Sequence, residues 1–277
     1  MLSVLIPANN EEDYLGPCLD SLAAQSDVAV PVEIIVAANA CTDGTVALGQ
    51  SFAGRFAARG WTLTVLDLEQ GGKPNALNQA DEAAAGAMRL YLDADIVLDP
   101  KLLGQLVEVL AADTAVYASG TLKVAPARSW ITRRYADIWR RLPFMAETVP
   151  GAGLFAVNAA GRARWGPFPQ IIADDGYVRL LFAPHERVQV DAPYLWPMVE
   201  GFQTLVRVRL RQDDGVREIE ARYPELLKNE DKRPVRPADH LRLIAASPLG
   251  YAVYISVAIA VRLSRAAGRG GGWSRGR

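Results

Sequence analysis

Along the first hundred residues, short apolar runs alternate with longer segments of helical period. The runs are Leu2 to Ile6, Val32 to Ala37, Thr62 to Leu66 and Arg89 to Leu92, and the segments are Glu11 to Gln25, Thr45 to Arg59 and Lys73 to Ala87. Strands buried on both faces read as continuous Val, Ile and Leu rather than as alternation, so this rhythm predicts a mainly parallel sheet with helices on both faces, an α/β fold. After residue 115 the rhythm loosens into a stretch rich in Gly, Pro, Trp and Arg. That composition predicts a second, less regular lobe over a substrate, with a helix around Gln203 to Arg211. Trp130, Trp139 and Phe144 fall near helical spacing there and are expected to pack.

From Leu243 to Val261 no charged residue occurs for 19 positions, and five arginines with no acid follow. The length suits a membrane-spanning helix and the arginines a cytoplasmic face, although Pro248, Gly250 and several alanines also suit a docked C-terminal helix. Four segments are expected: 1–115 and 116–242 as two halves of one domain, 243–262 as an apolar helix in possible membrane contact, and 263–277 as a basic, disordered tail.

The formal charge of -1 gives no footprint for nucleic acid. Cys18 and Cys41 form no CxxC pair, which argues against a disulfide framework and a zinc site. "MLSVLIPANNEE" enters a strand-like run at once, without the features of a signal peptide, so a cytoplasmic place is expected, at most at the inner face of a membrane.

Open α/β sheets bind ligands outside the carboxyl ends of their strands, and the loops there read "PANNEED", "ANACTDGT", "EQGGKPN" and "DADIVLDP". Neither GxGxxG nor GxxxxGK[ST] follows the first strand, which counts against a dinucleotide site and against a sugar-nucleotide pyrophosphorylase. In the fourth loop, Asp93 and Asp95 stand two apart and can turn toward one ligand. They suit Mg²⁺ or Mn²⁺, which completes its shell with water and phosphate oxygens, or equally an ordinary turn before the next helix.

The segments "VLIPANNEEDYL", "EIIVAANACTDGT", "GGKPNALNQA", "LYLDADIVLDP" and "ADDGYVRLLF", in this order, resemble the family 2 glycosyltransferases of GT-A fold over residues 1–215. The resemblance implies an inverting transfer of a sugar from a nucleoside-diphosphate donor to a hydroxyl of a sugar, lipid-linked or other acceptor. It implies Asp95 and Asp93 as metal ligands, with Asp93 also toward the donor, and Asp175, beside Asp174, as general base. Pro7, Ala8, Asn9, Glu11, Asn39 and Lys73 would line the donor, and Gly151 and Gly153 the sugar pocket. Trp165 and Phe168, between glycine and proline, are candidate acceptor platforms, whereas a lone His185 in a loop reads as an ordinary surface or core residue.

Two departures matter. Many members carry an Asp that reads uracil where Ala38 and Asn39 stand; an Asn amide can still pair with uracil, which keeps UDP favoured without excluding another base. Processive members carry QxxRW, whereas "QTLVRVRLRQ" places Arg209 near the diphosphate with Leu210 in place of Trp, against a polymerase of long chains. A non-catalytic nucleotide-sugar-binding module on the same fold, or a sugar-nucleotide pyrophosphorylase on a similar one, is the alternative.

Overall fold

A computed structural model of the protein describes residues 1–268 and divides the chain into two compact units. The first contains residues 1–123, 151–170 and 181–196, and the second contains 124–150, 171–180 and the chain from Pro197 onward. The chain opens with β1 (Leu2–Ala8), α1 (Glu12–Ala23), β2 (Val32–Asn39), α2 (Thr45–Ser51), α3 (Ala53–Ala57), β3 (Thr62–Leu68) and α4 (Lys73–Ala83). It continues with β4 (Met88–Leu92), β5 (Val97–Leu98), α5 (Leu102–Leu110), β6 (Tyr117–Val124), α6 (Trp130–Trp139), α7 (Pro143–Glu147), β7 (Leu154–Val157), α8 (Ala159–Arg162) and α9 (Asp174–Leu180). It ends with β8 (Arg187–Trp196), α10 (Phe202–Arg222), α11 (Pro237–Ala246) and α12 (Pro248–Ala266).

Among the described residues one sheet of eight strands runs in the order β3-β2-β1-β4-β7-β6-β8-β5. The four strands expected from the βα rhythm are the parallel ones: β2 pairs with β1 and β3, and β1 with β4. β4 then pairs antiparallel with β7, from Arg89↔Val157 to Leu92↔Leu154, and β7 antiparallel with β6. Residues after 115 therefore supply β6, β7 and β8 to the sheet of the first unit, in alternation with segments of the second. Ser119, Gly120, Thr121 and Lys123 conceal the strand period of β6, and the apolar run of β7 is only four residues long. The core lies between the sheet and helices α1 and α5, where Val4, Ile6, Ile34, Val36 and Leu90 meet Leu15, Leu19, Leu102 and Leu106.

Three element ends differ from the periodic expectation, each for a local reason. The helix expected over Thr45 to Arg59 breaks at Phe52, and the short α3 turns Phe56 onto the Trp61 ring at 6.3 Å. The helix expected to reach Ala87 stops at Ala83, because the N–H groups of Ala85 and Gly86 donate to Glu33 Oε1 at 2.7 and 3.0 Å. The fully buried Ser3 Oγ also accepts from Gly86 N at 2.9 Å and donates to Glu33 Oε1 at 2.5 Å, so polar groups in the sheet have partners. The expected single apolar helix is two. α11 ends before Ser247, whose hydroxyl accepts from Gly250 N at 3.3 Å, and Pro248 opens α12. The expected disordered tail is corrected in its first residues: 263–266 continue α12, and 269–277 lie outside the described residues.

Beyond the sheet, Arg164 holds Glu186 in a two-pronged pair at 2.7 and 2.5 Å, and Ala183 N donates to the same carboxylate at 2.7 Å. The Arg164 guanidinium is the chief reason why the Glu186 carboxyl sits at about 2 rather than 4.5. A depressed folded-state pKa contributes stability that is complete above the unfolded value and is lost as pH falls toward the folded one. Thermal melts should therefore lose this contribution between about pH 4.5 and 2. In Arg164→Gln that part of the acid limb should flatten; an unchanged slope would show that the pair does not set it.

Candidate active site

Four loops leave the carboxyl ends of the parallel strands, and hydrogen bonds lace the first two together. Asn10 takes φ +53° and Ala40 φ +47°, left-handed conformations that turn each chain sharply out of its strand. Asn10 Oδ1 accepts from Thr42 N at 2.6 Å, Glu11 N donates to Thr45 Oγ1 at 2.7 Å, and Gly44 N donates to Glu12 Oε2 at 3.0 Å. Burial pushes Asp43 up, but hydrogen bonds from the Thr45 side chain, Thr45 N and Glu12 N outweigh it and hold its carboxyl below the usual range. Asp43 is a latch that the sequence did not single out, although "TDGT" before a helix has the form of a capping turn.

Expected donor residues take up this frame. Pro7 and Ala8 end β1, paired in register with Ala37 and Ala38, and Asn9 Nδ2 donates to Asn39 O at 2.5 Å. Asn39 is buried, its Nδ2 donating to Ala8 O at 2.7 Å and its Oδ1 accepting from Gly72 N at 2.9 Å. One carboxamide thus ties the end of β1, the end of β2 and the loop before α4. This geometry corrects the expectation that Asn39 presents its amide to a base, because donor and acceptor are both engaged in the protein interior.

Gly72, at φ +117°, places Lys73 at the first position of α4 and Pro74 behind it. Lys73 Nζ meets Asp93 Oδ1 at 2.9 Å, with each side chain about a third exposed (34 and 36%). Asp93 is aimed by its own backbone: its N–H donates to Gly153 O at 2.8 Å, and its carbonyl accepts from Ile96 N at 3.2 Å. Asp95 follows within the turn that this last bond closes. Gly151 and Gly153 have φ of +63° and +71°, and both stand where a side chain has no room. A Cβ on Gly151 would fall on the Tyr117 hydroxyl, and one on Gly153 would meet Ile96 at 2.9 Å and the Trp196 indole at 3.0 Å. Trp196, half-buried at the end of β8 beside Gly153, is an aromatic of this edge that "YLWPM" did not reveal.

Trp165 and Phe168 are corrected. Both are buried, Trp165 under the Arg162 guanidinium at 4.5 Å and Phe168 edge-on to Tyr91 at 5.3 Å. Their packing is organised by Asp81, which accepts from Tyr91 Oη at 2.9 Å and from Arg162 Nε at 2.9 Å. His185 is exposed in a single 3₁₀ turn, as an ordinary surface residue.

The remaining expected residues belong to the second unit. Asp174 and Asp175 open α9, where the helix dipole favours acids; Asp174 is buried, and Asp175 Oδ1 accepts from Gly176 N at 2.7 Å. Their approach is held by α10: Ile172 N donates to Glu218 Oε2 at 2.9 Å, and a Cβ on Gly215 would lie 2.9 Å from that of Ala173. Arg209, expected toward a diphosphate, lies on α10, where Nη1 reaches Tyr135 Oη and Nε reaches Asp213 Oδ1, each at 3.3 Å. Burial opposes its charge, but Tyr135, Tyr254 and Asp213 outweigh this and hold it protonated. Trp130 does not pack as expected; it is exposed on α6, with Arg134 5.8 Å above its ring.

The profile of glycosyl transferase family 2 matches residues 3–164, more than half of the chain. The chain belongs to glycosyl transferase family 2. A 4,4'-diaponeurosporenoate glycosyltransferase of Staphylococcus aureus is 29% identical over 183 residues, 64% of this chain and 45% of that protein. The chain thus spans about half the length of the curated relatives it matches. S. aureus TarS 1-349, solved with UDP-GlcNAc, is 16% identical with a TM-score of 0.56, over 97% of this chain and 92% of that one. The mannosyltransferase PcManGT of Pyrobaculum calidifontis, solved with GDP-Man and Mn²⁺, is 20% identical with a TM-score of 0.58, over 96% of this chain and 79% of that one. These likenesses give the family 2 chain the GT-A fold.

The carboxylates of this family 2 chain fit a divalent cation in a limited way. Among the described residues no three His, Cys, Asp or Glu gather as a metal site, and Asp93 Oδ1 already accepts from Lys73. Two carboxylates suffice for Mg²⁺ or Mn²⁺ when the ligand supplies the other oxygens. Asn39→Ala in this family 2 chain should cost about 1–3 kcal/mol through the orphaned Ala8 O and Gly72 N. It should weaken UDP and GDP to the same degree in calorimetric titrations; a change in their ratio would instead make Asn39 a reader of the base.

Proposed function

We propose that the protein transfers a sugar, with inversion, from a nucleoside-diphosphate donor to an acceptor hydroxyl by direct displacement. The observation that carries this reading is the Lys73–Asp93 pair beside Asp95, built where the loops of an α/β sheet converge. The acceptor oxygen attacks the anomeric carbon, the bond from that carbon to the nucleoside diphosphate breaks, and the hydroxyl proton passes to Asp175. Lys73 supplies fixed positive charge to the departing phosphates. Asp95 and Asp93 would hold a divalent cation, which would supply charge neutralisation to the same leaving group. Uridine diphosphate is the favoured carrier, as in the TarS complex, with Asn39 shaping the crevice rather than meeting the base. A hydrophobic or lipid-linked acceptor is favoured by the likeness to a transferase named for 4,4'-diaponeurosporenoate.

Thermal shifts test the donor site. Because the protein alone offers two carboxylates, Mn²⁺ by itself should move Tm little, whereas Mn²⁺ with UDP at 100-fold over Kd should stabilise by about 2.7 kcal/mol, reversed by chelator. No shift with any nucleoside diphosphate, with or without Mn²⁺, would refute transferase and binding-module readings together.

Replacement tests the base. Asp175→Asn keeps shape and can still accept from Gly176 N, so it should leave the UDP thermal shift intact while transfer falls by at least 10²-fold. Turnover within threefold of the parent would remove Asp175 from the chemistry.

A further inference from the structure

The second unit carries an apolar face that nothing in the transfer reaction uses. α12 is two-sided: Gly250, Val257 and Val261 are buried, and Leu249, Ala252, Ser256, Ile259 and Leu263 are exposed on the opposite side at heptad spacing. Leu249, Ile259 and Leu263 are 60, 48 and 66% exposed, and Leu241 and Ile244 of α11 add 69 and 39%. The one hydroxyl on this face, Ser256 Oγ, is spent on Ala252 O at 2.7 Å within the helix. Large exposed aliphatics repeated on one face mark an interaction site rather than ordinary surface.

Charge selects the partner. After Asp239 the sequence holds six arginines and no acid, so with a formal charge of -1 for the whole chain the residues up to Asp239 carry -7. Arg242 and Arg262 are exposed beside the apolar stripe. Pairing of the face with a second copy would set these arginines against their own kind, whereas an anionic surface complements them.

Geometry selects the orientation. The 19 residues of α12 are long and apolar enough to cross a bilayer. Its inner side, however, is committed to protein: Gly250 has no room for a Cβ against Arg134 O at 2.8 Å, and the Tyr254 ring meets Tyr135 at 5.5 Å. Arg265 pairs with Asp213 at 3.2 Å and Asp214 at 2.9 Å on α10. A spanning α12 would have to break these contacts or draw the charged flank of α6, with Arg134 and Asp137, into hydrocarbon. We infer that α12 lies in the plane of an anionic lipid bilayer, with Leu249, Ile259 and Leu263 inserted and Arg242 and Arg262 on the headgroups, and does not cross it.

The apolar face of α12 shares no residue with the donor site, so lipid binding and sugar transfer can fail independently. Flotation of the full chain with phosphatidylglycerol or phosphatidylcholine vesicles tests the lipid contact. Binding to the anionic vesicles should be at least tenfold stronger and should weaken with salt. Leu249→Glu with Ile259→Glu and Leu263→Glu should reduce it at least tenfold at unchanged circular dichroism, and Arg262→Glu alone, which leaves the apolar stripe intact, should weaken binding to the anionic vesicles only. The inference is overturned by failure to bind anionic vesicles, by equal binding of both variants, by a dimer that the triple substitution dissolves, or by resistance of membrane-bound protein to alkaline extraction.

Discussion

Three loops that leave a parallel sheet at its carboxyl edge have no pairing partners of their own, and without some common tie each would sample its own conformations. Here the tie is the buried carboxamide of Asn39, donating to Ala8 O and accepting from Gly72 N. An amide is the one side chain of this size that donates and accepts in a single plane, so it can join two backbones that each have one group left over. Aspartate at this position could take only the Gly72 N–H and would face the Ala8 carbonyl with like charge. The tie among these three segments is therefore a neutral one.

That tie also places Lys73. Gly72, held by Asn39, begins α4, and Lys73 at its first position reaches Asp93 across to the end of β4. Lysine there runs against the helix dipole, so the fold spends something to keep it, which is expected where charge has a purpose. Asp93 is held from the other side by the Gly153 carbonyl, and Gly153 belongs to the antiparallel half of the sheet. The parallel strands thus bring the loops at their carboxyl ends, and the turn before β7 brings the backbone that aims Asp93.

The parallel half and its loops were legible in the sequence because buried parallel strands are written as apolar runs and their loops as polar ones. Lys73 and Asp93, nominated apart, meet in an ion pair. The antiparallel strands β6 and β7 were not legible, since Gly120 interrupts Tyr117 to Val124 and the short run Leu154 to Val157 follows Gly151 and Gly153, glycines that stand where a Cβ has no room. Trp165 misled because its flanking Gly and Pro look like an exposed loop, while Arg162, three residues before it and held by the sequence-distant Asp81, covers its ring. Asn39 misled in the opposite sense: a polar residue at a strand end reads as ligand-facing, and only the three-dimensional position of Gly72 shows that its bonds are already made. Residue type announces chemistry, but which partner consumes that chemistry is a matter of long-range geometry.

In the second unit, α10 carries two duties at once. Gly215, Glu218 and Ile219 face the start of α9, where a Cβ on Gly215 would collide with Ala173 and Glu218 accepts from Ile172 N. One turn earlier, Asp213 and Asp214 hold Arg265 of α12. A helix of 21 residues is rigid over about 32 Å, so the element carrying Asp174 and Asp175 and the helix with the apolar face are fixed to the same bar. Ion pairs a quarter to a third exposed to water contribute little stability singly, yet paired in this way they set an orientation. If the apolar face lies in a bilayer, the height and tilt of the two acids above the lipid are set by α10 rather than by a flexible tether. On the proposed reading of transfer at a membrane, acceptor hydroxyls are then selected by their distance from the lipid as much as by their chemistry.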